Sequence, residues 1–325
     1  MDSPKKPDDG LQPIGTIMRK AGMSPPSRTQ LRLIEASATI RQGQDDHEIA
    51  FQHTYFCQTA LPYRKSADRT WFRQNGRVFL RIEAGSIINP EQEKFLELPL
   101  PFGPAARLIM IHLDTQAINS QSPEIELEDS MTAFIKRLQN GRSPNGAELK
   151  LFKQQAAAIS TAVFRFGETT GQAAIQTQGA IVTGLELWYP KDHRQRVLWP
   201  SYVVLNTEYF NSLKNHAVPL DHRAVAALAH NALALDIYKW LAQRLCRVHE
   251  KAPAFLTWPA VQIQFGQGYG RIRAFRAIFL KTLRTVLTQY PGAKITADGK
   301  GVTLYRSRPP IAPKAITAGV LHKSL

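Results

Sequence analysis

Apolar residues along this chain return at intervals that sort it into helices and strands. Ile272, Phe275, Phe279, Leu283 and Val286 recur at three- and four-residue steps. At about 100° per residue they share one face of a long helix. TWPAVQIQF before it predicts a short helix, and GQGYG between them a turn. GAKITADGKGVTLYRSR after it predicts a β-hairpin. Helix, turn, helix, hairpin is the order of a winged helix. A similar succession occurs earlier. Met131, Phe134, Ile135 and Leu138 predict a helix opened by Ser130, and QNGRSPNG a break. Leu149, Phe152, Ala156 and Ile159 predict a second helix. Strands over Thr161–Phe166 and Gln172–Thr177 follow, joined by a turn ending at Gly171. The fold class expected is α+β, with two tandem winged-helix domains, each a helix-turn-helix followed by a β-hairpin wing.

The remaining segments fill in around these units. Ser27 predicts a cap on a helix over Arg28–Ile40, with Leu31, Leu33 and Ile34 as its apolar residues, and 41–48 read as a loop. Thr70–Gln74 and Arg77–Ala84 flank Asn75-Gly76, a strong hairpin signal. Pro101 and Pro104 bracket Gly103, where a helix should start. Leu108, Ile109, Ile111 and Leu113 give that helix an almost all-round apolar surface, so full burial is expected, with His112 as a core or interface histidine. Glu124–Leu127 predicts a short strand. In the second half the pattern predicts a strand over Ser201–Leu205 and a helix Glu208–Lys214 capped by Thr207. Asp221 caps a helix carrying Val225 and Leu228, and Ala232–Leu245 is a helix with Leu233, Ile237, Trp240 and Leu241 as its buried stripe. WYPKDHRQRVLWP (188–200) reads as a junction. The domains expected are a disordered N-terminal arm (1–27), a first winged-helix domain (28–190), a second (191–308) and a disordered tail (309–325).

Charge changes this picture. The chain of 325 residues has a formal net charge of +15. Residues 1–190 carry 21 basic and 20 acidic side chains, whereas residues 191–325 carry 20 and 6. Such asymmetry points to a polyanionic partner. From Arg271 to Pro310 there are nine Lys or Arg and one acid, Asp298. A core-packed helix with a cationic outer face, followed by a cationic hairpin, suits a DNA major groove; the competing reading is a solvated basic helix. Cys57 and Cys246 are too few for a disulfide framework and are expected to be buried thiols. With no apolar run of 18 residues and no signal-peptide core, a cytoplasmic protein that does not span a membrane is expected.

Enzyme readings find little support. The nine histidines never occur as a His-hydrophobe-His pair. Glu124, Glu126 and Glu128 would share a strand face, yet with Asp129 they read better as solvated strand-edge or helix-start charge than as a metal site. Gly266-Gln-Gly-Tyr-Gly270 precedes a helix but lacks a GK[ST] ending and a following acid, so it reads as a helix–helix turn. No metal, cofactor or catalytic residue is expected.

Six segments resemble a known family: TYFCQTALPYR (54–64), LRIEAG (80–85), PFGPAARLIMIHLDTQAI (101–118), SPEIELEDSMTAFIKRL (122–138), WYPKDHRQRVLWPS (188–201) and HAVPLDHRAVAALAHNALALDIYKWLAQRL (216–245). They are similar to the RepA-type plasmid replication initiators. The resemblance implies an iteron-binding initiator that opens the origin and loads host helicase, often with host DnaA. It also implies a dimer that represses its own promoter at an inverted repeat, and a nucleoid- or plasmid-associated location. Onto this chain it carries Arg271, Arg273, Arg276 and Arg284 as candidate base readers, since Arg pairs with guanine O6/N7. Lys281, Lys294, Lys300 and Arg306 are candidate phosphate contacts, and Lys150, Lys153 and Gln154 weaker candidates in the first unit. Residues 100–135, through the apolar run 108–113, are expected to contribute to self-association. A winged-helix repressor without a replication role is the alternative.

Overall fold

A computed structural model describes residues 26–42, 48–89, 93–126, 131–139, 141–170, 173–185 and 202–311. The expected arm, the 188–200 junction and the tail lie outside these residues, apart from 26–27 and 309–311. The first described element is helix α1 (Arg28–Arg41), opened by a capping box in which the Ser27 hydroxyl accepts from Gln30 N–H and the Gln30 side chain accepts from Ser27 N–H. Strand β1 (Ile49–His53) and the short helix α2 (Thr54–Gln58) follow. Strands β2 (Thr70–Asn75) and β3 (Val78–Glu83) form the hairpin expected at Asn75-Gly76. A second hairpin joins β4 (Ser86–Asn89) to β5 (Lys94–Glu97).

Helix α3 (Gly103–Ser120) is buried on every side, as its all-round apolar pattern predicts. Leu108–Leu113 are therefore inside this chain and present no apolar surface to a second copy, which corrects the self-association expectation for that run. Strand β6 (Glu124–Glu126) leads to helices α4 (Met131–Leu138) and α5 (Gly146–Thr161), the latter with an Asn145/Glu148 capping box. Strands β7 (Val163–Thr170) and β8 (Ala173–Ala180) complete a four-stranded sheet in the order β2-β3-β7-β8. Both are longer than the apolar pattern predicts; in β7 backbone pairing continues past Phe166, its last buried residue, to Thr170.

Strand β9 (Val182–Leu185) and strand β10 (Tyr202–Leu205) pair antiparallel, and β10 pairs again with β6. Helix α6 (Thr207–His216) is capped by Asn206, whose side chain accepts from Glu208 N–H and Tyr209 N–H; Thr207, the expected cap, lies inside the helix. HAVPL, which the apolar pattern leaves unassigned, contains most of strand β11 (Ala217–Asp221), paired to β1 with Phe51 opposite Pro219. Proline donates no ladder hydrogen bond, which weakens the strand signal. Asp221 caps α7 (His222–Leu228) as expected. Helix α8 (Ala232–Arg244) buries nearly every residue rather than one stripe. The last unit comprises β12 (Ala254–Thr257), α9 (Trp258–Phe265), α10 (Ile272–Gln289), β13 (Ile295–Ala297) and β14 (Gly301–Leu304).

Two features tie the halves together. The β1–β11 and β6–β10 pairings both cross residue 190, and α1 packs on α7 and α10 rather than on the first unit. At the centre, Arg107 of α3 meets Asp236 of α8 through paired bonds of 2.8 and 2.6 Å. Its remaining N–H groups donate to the carbonyls of Leu61, Pro62 and Gly103. Lys239 approaches the same carboxylate at 3.2 Å. These three charges are buried because each is paired, the condition under which an interior tolerates them. Cys57 is buried as expected, and burial pushes its thiol up to about 12; Cys246 is only half-buried.

Candidate nucleic-acid interface

The α9–α10 pair is built on aromatic packing. Phe279, under the middle of α10, lies 5.6 Å from Phe265 and 5.6 Å from Phe275, and meets Trp258 edge-on at 5.9 Å. Phe265 in turn contacts Trp240 of α8 at 5.2 Å, fixing the pair to the buried centre. The turn between the helices is closed by Gln262, whose side chain donates to the Tyr269 carbonyl at 3.0 Å. Gly268 takes a φ of +84°, a conformation glycine adopts without the Cβ penalty. Phe275, Phe279, Leu283 and Val286 are buried, as the period predicts. Ile272 is 41% exposed instead, because it opens the helix beyond the packed partner.

The hairpin stands beside α10. Strand β14 lies between β12 and β13, so the strand preceding α9 anchors the wing. At Gly301 a Cβ would lie 2.1 Å from the Leu256 carbonyl oxygen, so this strand approaches β12 as closely as only glycine allows. At the wing tip Asp298 accepts from Lys300 N–H at 2.7 Å and Gly301 N–H at 2.9 Å. These backbone bonds, helped by nearby Lys300 and Arg276, hold its carboxyl below the usual range. The one acid of this basic stretch thus closes a turn.

Arg273, Lys281 and Arg284 are exposed along the outer face of α10, and Arg271 is exposed at its start. Lys300 is exposed at the wing tip, with Lys294 and Arg306 exposed at the open end of the hairpin. Among the described residues none of these seven forms an ion pair. Arg276 differs. It is half-buried, its guanidinium 5.2 Å from the Trp258 ring and donating to the Gly299 carbonyl at 3.4 Å, so it braces helix against wing. In the first unit Lys150 is exposed on α5, whereas Lys153 and Gln154 are half-buried beside it. They are not brought together with the α10 group by any contact.

Two contributions were invisible in the sequence pattern. Arg28, Arg32 and Arg41 are exposed on α1, which Gln289 ties to α10 by donating to the Leu33 carbonyl at 2.8 Å. No local signal marks a packing across so long a stretch of chain. The second is Arg73 of β2, stacked 4.3 Å over Trp71 and bonded to Gln267 in the helix–helix turn. With Gln264 donating to the Gln58 carbonyl at 3.0 Å, it fastens the turn to the first half. Among the described residues no group of three or more His, Cys, Asp or Glu is placed to hold a metal, and no helix is long and apolar enough to cross a membrane.

Residues 100–259 match the family model RepA_C, described as plasmid encoded RepA protein, a plasmid replication protein domain. The resemblance read from the segments is thereby supported across the buried centre. The match ends at Pro259, so the cationic helix and hairpin lie beyond it. No curated protein matches the chain in sequence. Among solved structures the fold is similar to a selenomethionine derivative of domains 2 and 3 of RctB. The TM-score is 0.51 at 10% identity, over 78% of this chain and 95% of that one. A second crystal structure of RctB domains 2–3 gives 0.48 at 12% identity, over 76% and 93%. At such identities the likeness is one of fold.

Proposed function

We propose that this chain, which carries a RepA-type domain over residues 100–259, is a replication initiator that binds double-stranded DNA through a winged helix formed by α9, α10 and the β13–β14 wing. The observation that carries this reading is the outer face of α10. It exposes Arg273, Lys281 and Arg284 and has no acid anywhere along its length. In this reading α10 enters the major groove, Arg273 and Arg284 reach base edges, and Lys281 meets phosphate. Lys294, Lys300 and Arg306 hold the backbone alongside. The α4–α5–β7–β8 unit is a second, weaker winged helix, with Lys150, Lys153 and Gln154 near DNA. Repeated origin elements, origin opening, helicase loading with DnaA and autorepression as a dimer complete the proposal. No step of it requires catalysis by this chain.

The test is a salt-series titration of the full chain against the DNA flanking its own coding sequence, with scrambled DNA as competitor. Tight, sequence-dependent binding with a steep salt slope supports the proposal. Equal affinity for scrambled DNA overturns the sequence-specific part of it. Transformation by a minimal plasmid that depends on the protein then separates initiation from repression alone.

A further inference from the structure

The outer face of α10 is not uniformly cationic. Ala274 and Ala277 are exposed on it, and Ile278 is 41% exposed although Phe275 and Phe279 on either side are fully buried. Counted from Lys281, these residues stand at −7, −4 and −3, the spacing of neighbours on a helix surface. Arg273 and Arg284 flank this small apolar strip on one side, while Ile278 forms its other border. A lone exposed isoleucine is ordinary, but here it adjoins two alanines whose short side chains let the helix backbone approach whatever the arginines grip.

We infer that Ala274, Ala277 and Ile278 are specificity-determining residues that read the C5-methyl groups of thymines two base pairs apart. This rests on the reading that α10 enters the major groove. There thymine is the only base that presents a methyl. Ala274 and Ile278 are separated by about 6 Å along the helix, close to the roughly 7 Å spanned by two successive base steps of about 3.4 Å. Adenine or cytosine in the same place would press an amino donor against these side chains and leave it without an acceptor, which disfavours both. The face would therefore combine arginine-read guanine with methyl-read thymine, and the target element should contain both.

The experiment begins by selecting bound duplexes from a randomised library with the full-length protein. Each thymine of the selected element is then replaced singly by deoxyuridine, which removes the methyl and keeps the pairing and the O4 acceptor. The expected result is two positions, two base pairs apart, where uracil weakens binding about three- to tenfold. In Ile278→Ala one of those positions should lose its sensitivity, with affinity for fully uracil-substituted DNA equal to that of the wild type. Ile278 is exposed, so an unchanged melting curve for this variant is expected. A selected sequence that tolerates uracil everywhere, or an Ile278→Ala variant with the wild-type uracil pattern, overturns the inference and leaves the DNA-binding reading standing. Enrichment of no sequence at all overturns both.

Discussion

Arg107, Asp236 and Lys239 sit where water does not reach, and a charge in that position is stable only while its partners remain. Asp236→Ala should destabilise the protein by about 3–5 kcal/mol in urea unfolding, since it leaves the buried Arg107 uncompensated. Replacing Arg107, Asp236 and Lys239 together by apolar residues should cost much less than the sum of the single changes. Titration acts at the same scale. Burial pushes Asp114 up to about 7, against bonds donated by Gln52, His53 N–H and Tyr209 that lower it. His53 and His112 are driven down to about 3, mainly by burial, with His216 adding to the first and Arg137 and His222 to the second. Asp114 binds more protons folded than unfolded, so its contribution is lost as pH rises from about 4 to 7. The histidines bind fewer protons folded, so theirs is lost as pH falls from about 6.5 to 3. Between pH 7 and 5 each histidine costs about 2 kcal/mol, and Asp114 offsets about one of them. Asp114→Asn should remove that offset and steepen the loss of stability on acidification by about 2 kcal/mol, read from urea midpoints at the two pH values.

At the scale of the element, the wing depends on one close approach. Gly301→Ala places a methyl against the Leu256 carbonyl. It should cost about 1–3 kcal/mol and weaken DNA binding by displacing Lys300, as a melting curve and a titration would show. Arg284→Ala should leave the melting temperature unchanged and lower affinity, reducing the salt slope by about one contact if it meets phosphate and relaxing base preference if it meets guanine. These elements were legible because their periods are clean. The α10 face, the Asn75-Gly76 hairpin and the all-round apolar α3 each follow from local pattern. The β1–β11 pair was not legible, since five residues containing a proline carry no firm period. The fully buried α8 hid behind Asp236 and Lys239, whose charges suggest a solvated face until Arg107 is placed beside them. Arg276 stands among the candidate base readers, and neither the resemblance nor the helical period reveals Trp258 beneath it. Arg73 gave no signal at all, because its partner Gln267 comes from a distant turn.

For the molecule as a whole, the pairings across residue 190 mean that the halves share sheets rather than sitting in sequence. Fragments 1–190 and 191–325 expressed separately should each lack partner strands and fail to give a cooperative melting transition. Co-expression should restore one if the fragments find each other. Whole-molecule electrostatics set the binding curve. Six neutralised phosphates would give a slope near −5 in log K against log salt, about 0.9 per contact. The ties from Arg73 and Gln264 to the first half should also keep the two helix–helix units at a fixed separation, so inserting a few base pairs between their contacts would break joint engagement rather than be absorbed by a linker.

The pairing of β1 with β11 also orders events during synthesis. Ile49–His53 emerge from the ribosome early, but Ala217–Asp221 follow only after more than half of the chain has been made. At roughly 5–20 residues per second this gap is on the order of 10 s. Throughout it the strand edge that β11 will cover, and the apolar flanks of α3 that await α8, have no native partner. The nascent first half thus waits with that edge uncovered, for a time set by translation speed rather than by the stability of the finished fold.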